Sequence, residues 1–226
     1  MRLCMFHPAG QPLERGWVGR IDGEHVTWLA AQTLQSFFTG GAAAREHAVY
    51  PLAGVRLLAP VLHPPAVRVF DEPNSFAFAN PAAVVGPDAT IGGPDLAVLP
   101  RLAAVVGDAE EIAGFTVLAE WRRPGRRPPK DRDFALGLGP IVVTTDDLDP
   151  DGREGVVRAD GTERLRSRFE DFDWAAARDL AAEGTTLHAG DLLAGPALGS
   201  VEVEPGSALE LGVEGIGALA QTASQD

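Results

Sequence analysis

From Lys130 to Thr144 the sequence reads KDRDFALGLGPIVVT. A charged cluster gives way to a glycine-punctuated turn at Gly137 to Pro140 and then to the apolar, β-branched run Ile141 to Val143, the pattern of a buried strand entered from a tight turn. The chain holds 19 basic residues, and Lys130 is the only lysine among them. An ammonium is a compact charge with a shiftable pKa, which a guanidinium is not. Lys130 is therefore a candidate anion-binding or proton-transfer group.

Just upstream, AEWRRPGRRPP (119–129) carries Arg122, Arg123, Arg126 and Arg127. Arginines bind phosphate or carboxylate groups, but the prolines and glycine around them read as an exposed loop. Carboxylates of the same chain or of a second subunit are the expected partners. Downstream, Asp146 to Gly152 reads as an acidic turn and Asp160-Gly161 as a hairpin tip. Asp173 reads as the cap of a short helix running to Ala182, stopped by Gly184. Leu192-Leu193, then alternating Val201, Val203, Leu209, Leu211 and Val213, continue the strand pattern.

On the N-terminal side, Arg2 to Phe6, Trp17 to Ile21, His25 to Leu29 and Val55 to Leu58 read as strands, with a helix over Ala30 to Phe38 broken at Gly40-Gly41. His7 and His25 have no ligand-like spacing and read as ordinary structural or surface histidines. Pro60, Pro64 and Pro65 make a stiff linker, which divides the chain into a small module, residues 1–60, and a larger domain, residues 61–226. In the larger part, Ser75 to Ala79, Leu96 to Val98, Leu102 to Val106 and Ile112 to Leu118 read as strands, with Pro100 separating the middle two.

Composition narrows the function classes. With 226 residues, 45% hydrophobic and 23% charged, the chain is long and apolar enough for a sizeable core. Its net charge of -13 argues against a nucleic-acid partner. Cys4 is the single cysteine, which excludes an intrachain disulfide and fits a reducing compartment. Without an apolar run of the 18 to 20 residues that a bilayer requires, no membrane association is expected and the chain reads as cytoplasmic.

Five blocks together carry a resemblance: MRLCMFHPAG with GWVGRIDGEHVTWL, LAAVVG (102–107), IAGFTV (112–117), KDRDFALGLGPIVVT, and TTLHAGDLLAGP with LELGVEGIGAL. In this order they resemble the fumarylacetoacetate hydrolase family. The resemblance implies a mixed, β-rich α+β fold, a β-roll with a small N-terminal module, assembled as a homodimer. It also implies a divalent metal held by a Glu-x-Glu pair and an Asp, which stabilises an enolate, with a lysine holding the substrate carboxylate and a histidine and glutamate on a lid activating water.

Residue by residue, the match is incomplete. The two glutamate positions hold Leu99 and Arg101, and the aspartate position holds Glu120, the only matched carboxylate. The lid stretch is reduced to VRVFDEPNSFAFANP and lacks a histidine, while His63 precedes it among prolines. The late ATGTP-like motif is shortened to Ala194, Gly195, Pro196. Lys130 and Asp133 do match the family's Lys-x-x-Asp arrangement.

The chain is accordingly read as a divergent member without metal-dependent hydrolase activity, noncatalytic or repurposed to bind a small organic anion, with no cofactor. A metal-independent isomerase, decarboxylase or dehydratase for an enolisable oxo acid is the second reading, with Lys130 orienting the substrate, Arg101 stabilising enolate charge, and Glu120 or Asp133 moving a proton. A third is an acylpyruvate-type hydrolase holding Mg2+ or Mn2+ through substitute ligands, for which Asp71, Glu72 and Asp95 are available.

Overall fold

The computed structural model describes residues 1–13 and 15–225. The N-terminal part forms β1 (Arg2–Pro8), β2 (Trp17–Asp22), β3 (His25–Leu29), α1 (Leu34–Thr39), β4 (Glu46–Pro51) and β5 (Val55–Leu58). Then follow β6 (Val67–Glu72), β7 (Ser75–Ala79), β8 (Val84–Val85), β9 (Thr90–Gly92), β10 (Leu96–Val106), β11 (Ile112–Arg122), β12 (Leu136–Leu138) and β13 (Ile141–Thr144). The remainder is β14 (Glu154–Ala159), β15 (Thr162–Arg168), α2 (Trp174–Ala182), β16 (Leu192–Ala197), β17 (Val201–Val203), β18 (Ala208–Val213) and β19 (Gly217–Ser224).

These strands make a 14-stranded sheet, with the path β4-β3-β2-β1-β13-β11-β10-β16-β6-β7, and a five-stranded sheet, β15-β14-β18-β19-β9. The N-terminal strands join the large sheet through β1, which pairs antiparallel with β13. The run Ile141 to Val143 is thus a seam between the two parts of the chain. No helix of the described residues is long and apolar enough to cross a membrane.

Side chains alternate across a strand, and β11 shows the consequence. Phe115, Val117, Ala119 and Trp121 pack in one core with Val157, Leu209, Leu211, Val213 and Leu219 of the small sheet. Leu118 faces the opposite core with Leu136, Leu138, Met5 and the α1 residues Leu34, Phe37 and Phe38. Trp121 ties the two sheets, since its indole N–H donates to Gln221 Oε1 at 2.7 Å and the Gln221 amide donates to the Gly86 carbonyl at 3.1 Å. Gly137 leaves room for that amide, because a Cβ there would sit 2.3 Å from Gln221 Oε1.

Two expected boundaries move. Pro100 does not divide a strand: β10 runs through it, paired with Ala119 on β11. The Pro100 carbonyl accepts from Leu198 N at 2.8 Å, so its missing N–H points to the same side, between the first residue of β17, Val201 opposite Val98, and the last residue of β16, Ala197 opposite Arg101. No ladder bond is lost where partners change. The first helix begins at Leu34 rather than Ala30, because Thr33 caps it in a reciprocal box with Ser36. The hairpin tip at Asp160-Gly161 is as expected, both residues having positive φ, as is the cap of α2, where Asp173 accepts from Ala176 N.

Thr116 is fully buried on β11, and its hydroxyl has no hydrogen-bond partner among the described residues. An unpaired buried hydroxyl costs about 1–3 kcal/mol. Thr116→Val, which keeps the shape and removes the orphan, is expected to raise the urea midpoint. A lower midpoint would mean that the hydroxyl is paired in solution.

Candidate functional site

The antiparallel register of β10 and β11 sets Leu99 opposite Glu120 and Arg101 opposite Leu118. Because alternate residues share a face, Arg101 and Glu120 emerge on one side of the sheet and meet. Arg101 Nε donates to Glu120 Oε2 at 2.7 Å, and both side chains are 0% exposed. Arg101 Nη2 donates to Asp71 Oδ1 on β6 at 2.6 Å, and Nη1 to the carbonyls of Gly195 at 2.9 Å and Phe70 at 3.4 Å. All three guanidinium nitrogens are engaged.

The pairing extends further. Arg122, two residues beyond Glu120 on the same strand, places Nη2 2.7 Å from Glu120 Oε1, an ion pair without hydrogen-bond alignment. Arg122 also meets Asp131 at 2.9 Å, and Asp131 meets Arg132 at 3.3 Å. Asp71, Arg101, Glu120, Arg122, Asp131 and Arg132 form a chain of alternating charge. Three cations offset three anions, so the buried middle carries no net charge, as burial of ions requires.

Asp71 is the exposed end, with 57% of its side chain accessible. Burial of its inner part tends to raise its pKa, but the hydrogen bond and charge of Arg101, with Arg122 and Arg132 behind it, outweigh that and hold it below the usual aspartate value. A carboxyl lowered on folding contributes stability above its unfolded pKa of about 3.9, and that contribution is lost as pH falls through the folded value. Asp71→Asn should therefore cost stability at neutral pH, with the gap to wild type closing below about pH 4. A gap that persists unchanged in acid, measured by urea denaturation, would show that ionisation of Asp71 is not what Arg101 responds to.

Lys130 stands apart from this cluster. Its side chain is 76% exposed and its ammonium meets Asp133 Oδ2 at 2.7 Å. Arg101, Glu120 and Lys130 line none of the five principal cavities. The sequence-level set thus divides into Arg101 with Glu120 inside the protein and Lys130 with Asp133 on its surface. Of the loop arginines, Arg122 finds same-chain carboxylates, and Arg123 donates to the Gly92 carbonyl at 2.7 Å and stacks 4.1 Å from the Phe134 ring. His63 lines a cavity of about 280 Å³ with Met5, Arg15 and Gln35, and Cys4 is buried, which pushes its thiol up to about 12. In place of a lid, β6 and β7 are joined by the two residues Pro73 and Asn74.

From sequence, Asp71 reads as a substitute metal ligand and Arg122 as a loop arginine expected to meet carboxylates of the same chain or of a second subunit; the same-chain pairing is what forms. The sequence signal for Arg122 was its i, i+2 spacing from Glu120 on one strand. Asp71 comes from a distant strand, and no local pattern points to it.

A two-sheet β-roll with its buried charges on facing central strands defines a recognisable class of protein. The model of fumarylacetoacetate (FAA) hydrolase C-terminal matches residues 41–224, and the chain belongs to the fumarylacetoacetate hydrolase family. Comparison with curated proteins finds no match. Among solved structures, maleylpyruvate hydrolase from Sphingobium sp. SYK-6 is similar with a TM-score of 0.84 and 20% identity, over 100% of both chains. The same enzyme in complex with manganese(II) and pyruvate gives 0.83 and 21%, over 100% of this chain and 99% of that one. 5-Carboxymethyl-2-hydroxymuconate delta-isomerase from Mycobacterium smegmatis gives 0.81 and 23%, over 100% of both. At these identities the likeness is one of fold.

The donor set here does not suit a hard divalent cation, which takes several oxygen ligands. Leu99 offers none, Arg101 is a cation, and both Glu120 oxygens already face guanidinium groups. Among the described residues, no group of three or more His, Cys, Asp and Glu side chains converges in a metal-holding arrangement.

Proposed function

We propose that Arg101 has taken the place that a divalent cation holds in the family's hydrolases, and that this chain is a repurposed member without metal-dependent C–C bond hydrolysis. The observation that carries the reading is the fully buried Arg101 guanidinium bridging Glu120 and Asp71. A metal-independent isomerase, decarboxylase or dehydratase is less well supported, because Arg101 is fully buried and four of its five N–H donors already have acceptors, which leaves a single buried donor for a developing enolate oxygen. Binding, rather than turnover, is the role this favours.

The ligand class carried over from the relatives is a small organic anion, since one of them holds pyruvate. In this chain Lys130, steadied by Asp133 and open to solvent, is the cation offered to it. We read the assembly as a homodimer in the cytoplasm. That Cys4 is the single cysteine, so that no intrachain disulfide can form, supports the compartment, and the family resemblance supports the dimer.

The test is titration calorimetry of the purified chain with Mn2+ and Mg2+. No saturable heat is expected for either ion. Saturable Mn2+ binding that disappears in Glu120→Gln would overturn the proposal.

A further inference from the structure

A cavity of about 180 Å³ opens where β15 ends, between the chain leading into α2 and the last residues of β16. Its walls are apolar, formed by Leu102, Phe172, Trp174 and Leu198, and Arg168 and Glu170 line it as well. Leu102 follows Arg101 on β10, so their side chains leave opposite faces of the sheet. Neither Arg101 nor Lys130 lines the cavity. It is separate from both parts of the site described above.

The walls are held in place by the core. Phe172 meets Phe70 of β6 edge to face, 5.8 Å between centroids, and meets Trp174 at 4.8 Å. Gly195 lets the Trp174 ring lie against β16, because a Cβ there would fall 2.9 Å from it. A cavity of about 150 Å³ with walls of this kind takes one benzene ring. The volume here therefore matches one ring or one branched aliphatic group, with any polar head at the mouth.

The charged groups of the cavity are free to meet such a head. Arg168 Nη1 donates to the Gly152 carbonyl at 2.7 Å, which anchors the guanidinium and leaves its other donors open. Glu170 has no partner among the described residues, and the two exposed side chains form no ion pair with each other. A guanidinium suits a carboxylate. A simple acid would also meet Glu170, and the chain brings Asp149 and Asp151 beside Pro150 and Asp171 beside Glu170. A ligand that carries an ammonium next to its carboxylate satisfies both signs.

We propose that this cavity binds a free α-amino acid with an apolar side chain, the side chain resting between Leu102, Phe172 and Trp174, the carboxylate on Arg168 and the ammonium on Glu170. The site is independent of the anion site read at Lys130, and its test bears on neither Lys130 nor the metal.

Titration calorimetry of the full chain with L-phenylalanine, L-leucine, hydrocinnamate and phenethylamine tests it, with circular dichroism confirming that each variant is folded. Both amino acids should bind saturably, and the two phenyl analogues, which lack the ammonium and the carboxylate in turn, should bind more weakly by about tenfold or more. Glu170→Gln should weaken L-phenylalanine by about tenfold or more and leave hydrocinnamate no weaker, while Arg168→Gln should weaken L-phenylalanine as much and leave phenethylamine no weaker. No saturable heat with either amino acid, or an affinity for them that neither variant moves, overturns the proposal. Hydrocinnamate bound as tightly as L-phenylalanine also overturns it, and would show a site for a simple acid.

Discussion

Arg101→Met is expected to lower the stability of the folded chain by about 3–5 kcal/mol, the cost of removing one partner of a buried ion pair. Methionine fills much of the space of the arginine stem, so the loss comes from charge. Glu120 would remain fully buried with Oε2 facing no donor, and Arg122 holds the other oxygen without good alignment. Asp71 also loses its partner, but it is more than half exposed and water takes over. Pairing the change with Glu120→Leu should recover most of the loss, because a buried ion pair replaced by apolar side chains is often neutral. Urea denaturation followed through the buried Trp121 indole measures both. A single variant within about 1 kcal/mol of wild type would show that Glu120 is neutralised or hydrated without Arg101.

Leu99→Glu with Arg101→Glu is expected to create a divalent-cation site where the described residues gather no cluster of ligands. Position 99 lies directly across the ladder from Glu120, and position 101 is next on the same face. Together with Glu120 and the nearby Asp71, the variant would gather four carboxylates, the hard oxygen donors that Mn2+ and Mg2+ take. Without metal their repulsion should destabilise the variant. With Mn2+ at a hundred times its dissociation constant, the folded state should regain about 2.7 kcal/mol. Differential scanning calorimetry with and without Mn2+ reads the effect against wild type, which should not respond. A variant equally indifferent to Mn2+ would show that these two substitutions alone do not separate the chain from a metal site.

How much of this was legible in the sequence depends on whether the determinant is local. The seam strand Ile141–Thr144, the Asp160-Gly161 tip and the Asp173 cap follow from periodicity and turn chemistry, which act over a few residues, whereas the β-roll is implied by the family resemblance alone. Pro100 misled because its tolerance depends on two other strands exchanging places beside it. β4, with the sequence EHAVYP, gives no strand signal because it is mostly exposed and carries no apolar run.

In the site, the loss of ligands at positions 99 and 101 was readable from residue types. The consequence was not, because the Arg101 partner Asp71 lies 30 residues away and is brought close by sheet topology. Lys130 stood out by composition, yet uniqueness in a sequence carries no information about depth, and its ammonium lies outside.

A cation bonded into the chain differs from a bound ion in one thermodynamic respect. An ion that holds two carboxylates together enters the folding equilibrium with its concentration, so the folded population rises and falls with supply and with chelators. Arg101 joins Glu120 and Asp71 within the same molecule. Its effective concentration is set by geometry alone. The central strands of this protein are therefore joined by a charge that dilution does not remove and for which no chelator competes.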